Sequence, residues 1–471
     1  MQKILENFYN IIPPPLQNFA ISSYGFYWYK RRFGGIFRKE IEECKKRENY
    51  TQEQWNEYHL NLLRELLIHA YKTVPYYKNK FNQLGLTLQS LSNFQLSQIN
   101  TLPILEKTTY RELGLTELLS SKKDPKGAFF LSSGSTGTPT QTYYSRKMHQ
   151  KYFAIFEARV NNWANITYKT PRGTFGPRRI VKDANAEGPF YRYNYIEKQV
   201  YFSAFHINAK NVKSYLEGLY KYKVEYLTGY CMSNYFLARF IEEVGLKAPK
   251  LRAVLTSSEK LTDEIRDTFR RVYGCETFDA YNGVECCNLV SECEHHSLHI
   301  IPDMGITEIL NSNGEPCKPG ESGQVVATGF LNFDQPLIRY RMGDIVKLSE
   351  NQSCKCGRSM PVVEEIVGRI MDTVIGKDGR EMVSFYRVFS GNMKIIESQL
   401  IQHTLDDFEI KLVLANPLSE DEEATIRQKM HSQLGDITIQ INIVNSIPKG
   451  PNGKFKSVIS HIKREEIKKT I

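Results

Sequence analysis

Leu60, Leu63, Leu67 and Tyr71 recur at helical spacing, with Leu62 and Leu66 beside them. Residues three and four apart share one face of a helix, so this stretch predicts an amphipathic helix with a buried stripe. Pro75 and Pro103 punctuate the polar segments that follow, and residues 1–125 read as mainly helical. From residue 126 to 345 the texture alternates. Short apolar runs, Ala128–Leu131, Val224–Leu227, Leu251–Leu255 and Val325–Ala327, are separated by helical stretches or turns, the pattern of an α/β core. Ala128–Leu131 reads as a buried strand end, and Pro171–Tyr195, rich in Arg, Asn and Gly, as a long loop. Near 366–372 the texture changes again. The tail then reads as a strand (Phe408–Leu414), a helix over roughly 420–433 and a second strand (Ile437–Ile447). Ser419 with Glu422 forms the capping box of that helix. A tail of this length suffices for a small separate α/β domain.

One segment fits neither period. After Leu131, nine residues in succession (Ser132 to Thr140) are Ser, Thr, Gly or Pro. Gly134 and Gly137 permit left-handed backbone and close approach, and the hydroxyls supply donors. Such a loop wraps a polyanion with backbone N–H groups, which points to nucleotide chemistry. No Lys follows Gly137, so it is not a G-x-x-x-x-G-K-[ST] loop.

Charge and composition narrow the classes. The chain has 471 residues, and 62 Lys and Arg against 52 Asp and Glu leave a net charge of +10. The excess is spread out, which suits a basic cleft for anionic substrates better than nucleic-acid binding. No apolar run approaches the ~18 residues of a membrane span. Glu6 and Pro13-Pro14-Pro15 sit where a secretory core would lie, so no signal peptide is expected. Nine Cys, with Cys286 and Cys287 adjacent, argue against a disulfide framework and for a reducing cytoplasm. Tyr24-Gly25-Phe26-Tyr27-Trp28-Tyr29 followed by Lys30-Arg31-Arg32 suits a membrane interface, but aromatics like these more often pack on the protein's own body. A homodimer is left open.

Later segments gain meaning together. They are Tyr281-Asn282-Gly283-Val284-Glu285, Ile338-Arg339-Tyr340-Arg341-Met342-Gly343-Asp344, Gly368-Arg369-Ile370-Met371-Asp372 and Pro448-Lys449-Gly450-Pro451-Asn452-Gly453-Lys454. In this order, after the Ser/Thr/Gly loop, they resemble the adenylate-forming superfamily of acyl-CoA synthetases. The branch looks like the phenylacetate–CoA ligases and related capsule-biosynthesis proteins, to which His69–Tyr77, Leu102-Pro103-Ile104 and Pro139-Thr140 are also similar.

The resemblance implies an α/β fold: a large N-terminal adenylate-forming domain (1–368) with mixed sheets and helices, and a small C-terminal α/β lid domain (369–471). It implies ATP, Mg²⁺ and coenzyme A as cofactors and a carboxylic acid as substrate, activated as an acyl-adenylate with release of pyrophosphate. Ser132, Ser133, Gly134, Ser135, Thr136 and Gly137 would hold the phosphates. Glu285 would bind Mg²⁺, Tyr281 and Asn282 would lie near adenine, and Ser258 and Glu259 where adenine and acyl group meet. Asp344 would accept both ribose hydroxyls, Arg369 would lie near ribose or phosphate, and Lys454 would bridge carboxylate and α-phosphate from the closed lid. Tyr230 and Tyr235 would wall an aromatic acyl pocket, with His206 facing a polar group. Val284 stands where Ser or Thr is usual, Asn282 where Gly is, Met342 where Thr is, and Met371 where an Asp often marks the hinge. Val284 cannot donate the expected hydrogen bond to the α-phosphate.

Cys293, His299, Cys354 and Cys356 make up the ligand set of a closed tetrahedral zinc site, with His295 and His296 as rival fourth ligands. Three activities compete. One is a carboxylate–CoA ligase. Another is an adenylating acyltransferase that serves an amine or hydroxyl in surface-polysaccharide or natural-product assembly. The third is a non-catalytic nucleotide-binding relative, against which Glu285, Asp344 and Lys454 together argue.

Overall fold

The computed structural model describes residues 9, 11–131, 140–178, 180–181, 183, 186–204, 206–258, 261–366, 374–376, 381–382, 388, 394–414, 417–444, 447 and 458–462. The N-terminal third is helical, as its spacing predicts. Helices α1 (Pro14–Phe33), α2 (Phe37–Lys46) and α3 (Gln52–Thr73) open the chain. Thr51 and Gln54 close a capping box at the start of α3, and Pro75 follows its end. The buried stripe of α3 is Leu63, Leu66, Leu67 and Ala70, while Leu60 and Tyr71 lie at its margin half-buried. That stripe packs on Val290, Val325, Ala327 and Tyr340 of the sheet below.

The sheet has 12 strands, and two further strands, β1 (Ala128–Leu131) and β2 (Gln141–Tyr144), form a separate antiparallel ribbon. The sheet's members in chain order are β3 (Arg172–Phe175), β4 (Tyr191–Asn194), β5 (Gln199–Phe202), β6 (Tyr226–Tyr230), β7 (Ala253–Ser257), β8 (Glu276–Asn282), β9 (Leu289–Glu292), β10 (Leu298–Ile300), β11 (Gly305–Leu310), β12 (Ser322–Gly329), β13 (Tyr340–Leu348) and β14 (Val362–Ile366). Their spatial order is β11-β12-β13-β14-β10-β9-β8-β7-β6-β3-β5-β4. The half from β5 to β8 is parallel, with helices Cys231–Glu243 and Asp263–Tyr273 returning the chain between β6, β7 and β8. The half from β8 to β11 is antiparallel.

Two readings of the sequence need correction. Pro171–Tyr195 is not one long loop, because β3 and β4 stand at its two ends. Their hydrogen bonds come from distant strands, β5 and β6 for β3 and β5 for β4, which composition does not reveal. Ala128–Leu131 is a strand but not a buried one. Phe129 and Leu131 are 43% and 54% exposed, since the ribbon is two-stranded and only one of its faces is covered.

The tail forms a 4-stranded sheet in which Ile395–Gln402 and Asp407–Leu414 pair antiparallel, flanked in parallel by Val458–Ser460 and Thr438–Ile443. Helix Glu420–Leu434 lies over it and starts with the Ser419–Glu422 capping box. The last strand of the strand–helix–strand reading is shorter than Ile437–Ile447. The junction at 368/369 falls among residues 367–373, outside the described residues.

Candidate functional site

In register, Phe175 pairs with Gly229, Gly229 with Thr256, and Thr256 with Asp279. The four parallel strands β3, β6, β7 and β8 therefore release the chain along one edge of the sheet. Open α/β sheets bind ligands at such carboxyl ends. Gly229 is required there: its φ is +106°, and a side chain would collide with the Phe175 carbonyl. Tyr230, Ser258, Tyr281 and Asn282 all reach this edge. Ser258 holds φ at +73°, an uncommon conformation for a non-glycine residue.

Beyond the edge the chain turns sharply through Gly283–Cys286, closed by Cys286 N–H donating to the Gly283 carbonyl at 3.1 Å. Cys286 takes φ +49° to complete it. The turn folds Glu285 back into a buried position. Its Oε1 accepts from Thr140 Oγ1 at 2.9 Å and from the Tyr340 hydroxyl at 3.1 Å. A Cβ on Gly283 would lie 2.6 Å from Glu285 Oε2, so a side chain there would displace the carboxylate from this position. Burial, then the adjacent Glu285 charge, push the Tyr340 phenol well above its usual range, so it remains a donor at neutral pH. Thr140 is the residue at which the Ser/Thr/Gly loop ends, so that loop terminates on this carboxylate.

The Tyr281 hydroxyl donates to Asp344 Oδ2 at 2.7 Å and lies 4.0 Å from Met342 Sδ. Asp344 reaches it through a break in the ladder. Gln324 pairs with Ile345 but Val326 pairs with Arg341, so residues 342–344 bulge from β13, with Gly343 at φ +84°. A bulge of this kind re-aims a side chain next to a site. Asn282 Nδ2 donates to the Tyr152 hydroxyl at 2.5 Å. The Val284 side chain has no donor, but its carbonyl accepts the Tyr144 hydroxyl, which also lies 2.8 Å from Cys286 Sγ.

A second cluster forms behind this one. The ligand atoms of Cys293, His299, Cys354 and Cys356 all lie within 4.8 Å of one another. Tetrahedral zinc with Zn–S near 2.3 Å and Zn–N near 2.05 Å requires S···S of about 3.8 Å and S···N of about 3.6 Å. Cys293 Sγ and Cys354 Sγ are 3.7 Å apart, and Cys356 Sγ and His299 Nε2 are 3.4 Å apart. His299 Nδ1 lies 3.1 Å from the Met360 carbonyl, which leaves Nε2 for a metal, the usual outer support of a ligating histidine. The donor set fits zinc. His295 and His296 are not members: the His295 amide donates to Cys293 Sγ at 3.4 Å, and His296 Nδ1 pairs with Glu292 at 2.8 Å.

The family model of the CapK C-terminal domain matches residues 374–461. Protein CapK of Staphylococcus aureus is 24% identical over 475 residues, covering 98% of this chain and all of that protein. The phenylacetate-coenzyme A ligase of Thermus thermophilus is 22% identical over 439 residues, covering 84% of this chain and 94% of the ligase. The chain is a homologue of CapK and of the phenylacetate-coenzyme A ligases. Its fold is that of an acyl-CoA ligase. A 2-hydroxyisobutyryl-CoA ligase, solved with 2-HIB-AMP and CoA in the thioesterification state, superimposes with a TM-score of 0.56 at 18% identity. The match covers 88% of this chain and 91% of the ligase.

The candidate residues expected from the sequence that lie among the described residues divide into two groups. Tyr281, Asn282, Glu285 and Asp344 share one corner of the molecule, with Tyr230 and Ser258 on the same sheet edge. His206 is held apart from solvent: Nδ1 meets Ser203 Oγ at 2.7 Å, Nε2 meets the Asp183 carbonyl at 2.8 Å, and the ring stacks on Phe190. Tyr235 is buried in helix Cys231–Glu243, its hydroxyl accepting from Arg239 at 3.0 Å. Ser132, Ser133, Gly134, Ser135, Thr136, Gly137, Glu259, Arg369 and Lys454 lie outside the described residues. The sequence assigns no role to Thr140, Tyr340 or Tyr152. Thr140 and Tyr340 sit inside motifs that were read for other residues, and Tyr152 lies on a helix that carries no motif.

Proposed function

We propose that this protein activates a carboxylic acid with ATP, giving an acyl-adenylate and pyrophosphate, and then transfers the acyl group to coenzyme A. The paired constellation Thr140–Glu285–Tyr340 and Tyr281–Asp344 carries this reading. It offers a buried carboxylate next to the end of a hydroxyl-rich loop, and a half-buried carboxylate oriented by a phenol. Asp344 would accept the two ribose hydroxyls, one per oxygen, while Tyr281 would stack near the base. Glu285 would hold Mg²⁺, a hard cation that suits carboxylate and hydroxyl oxygens, and the bound ion would offset negative charge on the phosphates. Thr140 and Tyr340 fix the orientation of that carboxylate. The loop 132–139 would supply N–H and hydroxyl donors to the phosphates. Lys454 would bring a cation to the substrate carboxylate as its oxygen attacks the α-phosphorus and the bond from that phosphorus to the α–β bridging oxygen breaks, releasing pyrophosphate. Val284 contributes no side-chain donor, so the α-phosphate contact usual in the family falls to backbone or to Lys454. Cys293, His299, Cys354 and Cys356 would hold a structural zinc that ties the strand after Glu285 to the loop after Asp344.

The full-length match to CapK favours a second acceptor. In that reading the adenylate passes to an amine or hydroxyl of a surface polysaccharide instead of a thiol. Acid-dependent AMP release measured with CoA, with amino sugars and with neither separates the two: stimulation by CoA supports the ligase, and stimulation by the sugar alone replaces it.

A further inference from the structure

Helix α1 is inside out. Its buried positions are Gln17, Asn18, Ser22, Gly25 and Arg31, and its exposed positions are Pro15, Leu16, Phe19, Ala20, Ser23, Tyr24, Phe26, Tyr27 and Lys30. At about 100° per residue the exposed set forms one continuous face. Leu16, Phe19, Tyr24, Phe26 and Tyr27 are between 47% and 70% exposed.

The polar face has a structural reason. Strand β4 is the edge of the 12-stranded sheet and would otherwise present unpaired backbone groups. Asn18 Oδ1 accepts the Tyr193 N–H at 2.9 Å, Ser22 Oγ accepts the Tyr195 N–H at 3.0 Å, and Gln17 accepts from Arg192. Gly25 lets the helix close onto Asn194, whose side chain a Cβ would strike. At the far end Arg31 donates to the Tyr144 carbonyl at 2.7 Å and Arg32 pairs with Glu197. The helix is thus anchored by these polar contacts and by Trp28 and Phe33, whose rings pack on Phe130, His149, Phe153 and Tyr168, while Leu16, Phe19 and Phe26 stay exposed on the opposite face.

We infer that this face docks the protein on an anionic lipid surface. Charge is the first argument. No Asp or Glu occurs from residue 7 to residue 39, while Lys30, Arg31, Arg32, Arg38 and Lys39 fall in that stretch. Lys30, Arg38 and Lys39 are exposed, and the Lys30 ammonium lies 4.5 Å over the Phe26 ring, at the margin of the aromatic face. Aromatic rings at headgroup depth with cations reaching phosphates are the physical signature of a helix lying in an interface. Size is the second argument. One 20-residue helical face is about 30 Å by 10 Å, roughly 300 Å², well short of the ~800 Å² per partner of a stable protein interface. No described helix is long and apolar enough to cross a membrane, so the contact is peripheral. This inference is independent of the reaction proposed above.

The test is co-sedimentation of the full chain with vesicles of phosphatidylcholine alone and of equimolar phosphatidylcholine and phosphatidylglycerol. Binding to the anionic vesicles that weakens with added salt is expected. The combined change Phe19→Ser, Phe26→Ser and Tyr27→Ser should lower the bound-to-free ratio on the order of tenfold or more, with an unchanged melting curve. Should the triple variant fold poorly, Phe19→Ser alone should still weaken binding several-fold, and Lys30→Glu should reduce it on anionic vesicles. Absence of binding to either vesicle overturns the inference. So does a lipid-free dimer that the triple variant converts to monomer, because the face would then belong to a second copy.

Discussion

The Tyr281 hydroxyl donates to Asp344 at 2.7 Å, joining the end of a parallel strand to a bulge in an antiparallel one. If Asp344 holds ribose, Asp344→Asn loses charge-assisted bonds of about 1.5–3 kcal/mol, so kcat/KM for ATP should fall roughly 10- to 100-fold. Tyr281→Phe removes only the orienting bond and should cost a few-fold in the same constant. Steady-state kinetics with varied ATP tests both. Equal effects from the two changes would mean that Asp344 acts only as the partner of Tyr281.

Glu285 makes a separable prediction. Glu285→Gln keeps the size and an acceptor for Thr140 and Tyr340 but loses the charge for a cation. Adenylation should drop by about two orders of magnitude and respond less to Mg²⁺ concentration, while the melting temperature changes little. Glu285→Ala also removes the acceptor of the buried Tyr340 hydroxyl and should lower stability by about 1–3 kcal/mol. Activity and thermal melts of the two variants, measured together, distinguish the chemical role from the packing role.

The cysteine cluster predicts a metal content. Purified protein should carry one zinc per chain by mass spectrometry of the metal. Cys354→Ser or His299→Ala should lose it and lower the melting temperature by several degrees. A chain without zinc and with unchanged melting in both variants would leave the cluster as four reduced ligands on adjacent segments.

Asp303 ties the N-terminal helices to the sheet. Arg47 Nε donates to it at 2.7 Å and Arg159 Nε at 2.8 Å. Burial alone would raise this carboxyl, but Arg159 and Arg47 override it and hold it below the usual range. A carboxyl depressed in the native state stabilises above its unfolded pKa of about 4, and that contribution is lost as pH falls through the native value. Asp303→Asn removes the charge between two buried guanidinium groups, which keep Glu40 and Glu48 as partners, and should cost about 1–3 kcal/mol at neutral pH. Denaturant titrations at several pH values should show the gap between wild type and variant narrowing in acid.

The α/β class was legible because apolar runs of strand length alternate with helical stretches, and the Ser419 helix because its capping box is local. The strands inside 171–195 were not, because β3 and β4 are defined by partners up to 54 residues away, as in Phe175 with Gly229. At the site, Glu285 and Asp344 were read from motifs. Their orienting partners Thr140 and Tyr340 come from segments far apart in the chain, and only the folded turn at Gly283–Cys286 brings them to one carboxylate. His299 over His295 was likewise a three-dimensional choice: strand β10 aims His299 at the thiols, while His295 sits in the connecting turn.

The central claim is that an acid is adenylated at this corner of the sheet. We would incubate the protein with ATP, Mg²⁺, hydroxylamine and a panel of aryl, fatty, hydroxy and amino acids, and measure hydroxamate, AMP and pyrophosphate together. The account predicts equal hydroxamate and pyrophosphate for one class of acid, and sharp losses in Asp344→Asn and Lys454→Ala. Acid-dependent release of ADP and phosphate in place of AMP and pyrophosphate would contradict it, as would full activity in both variants.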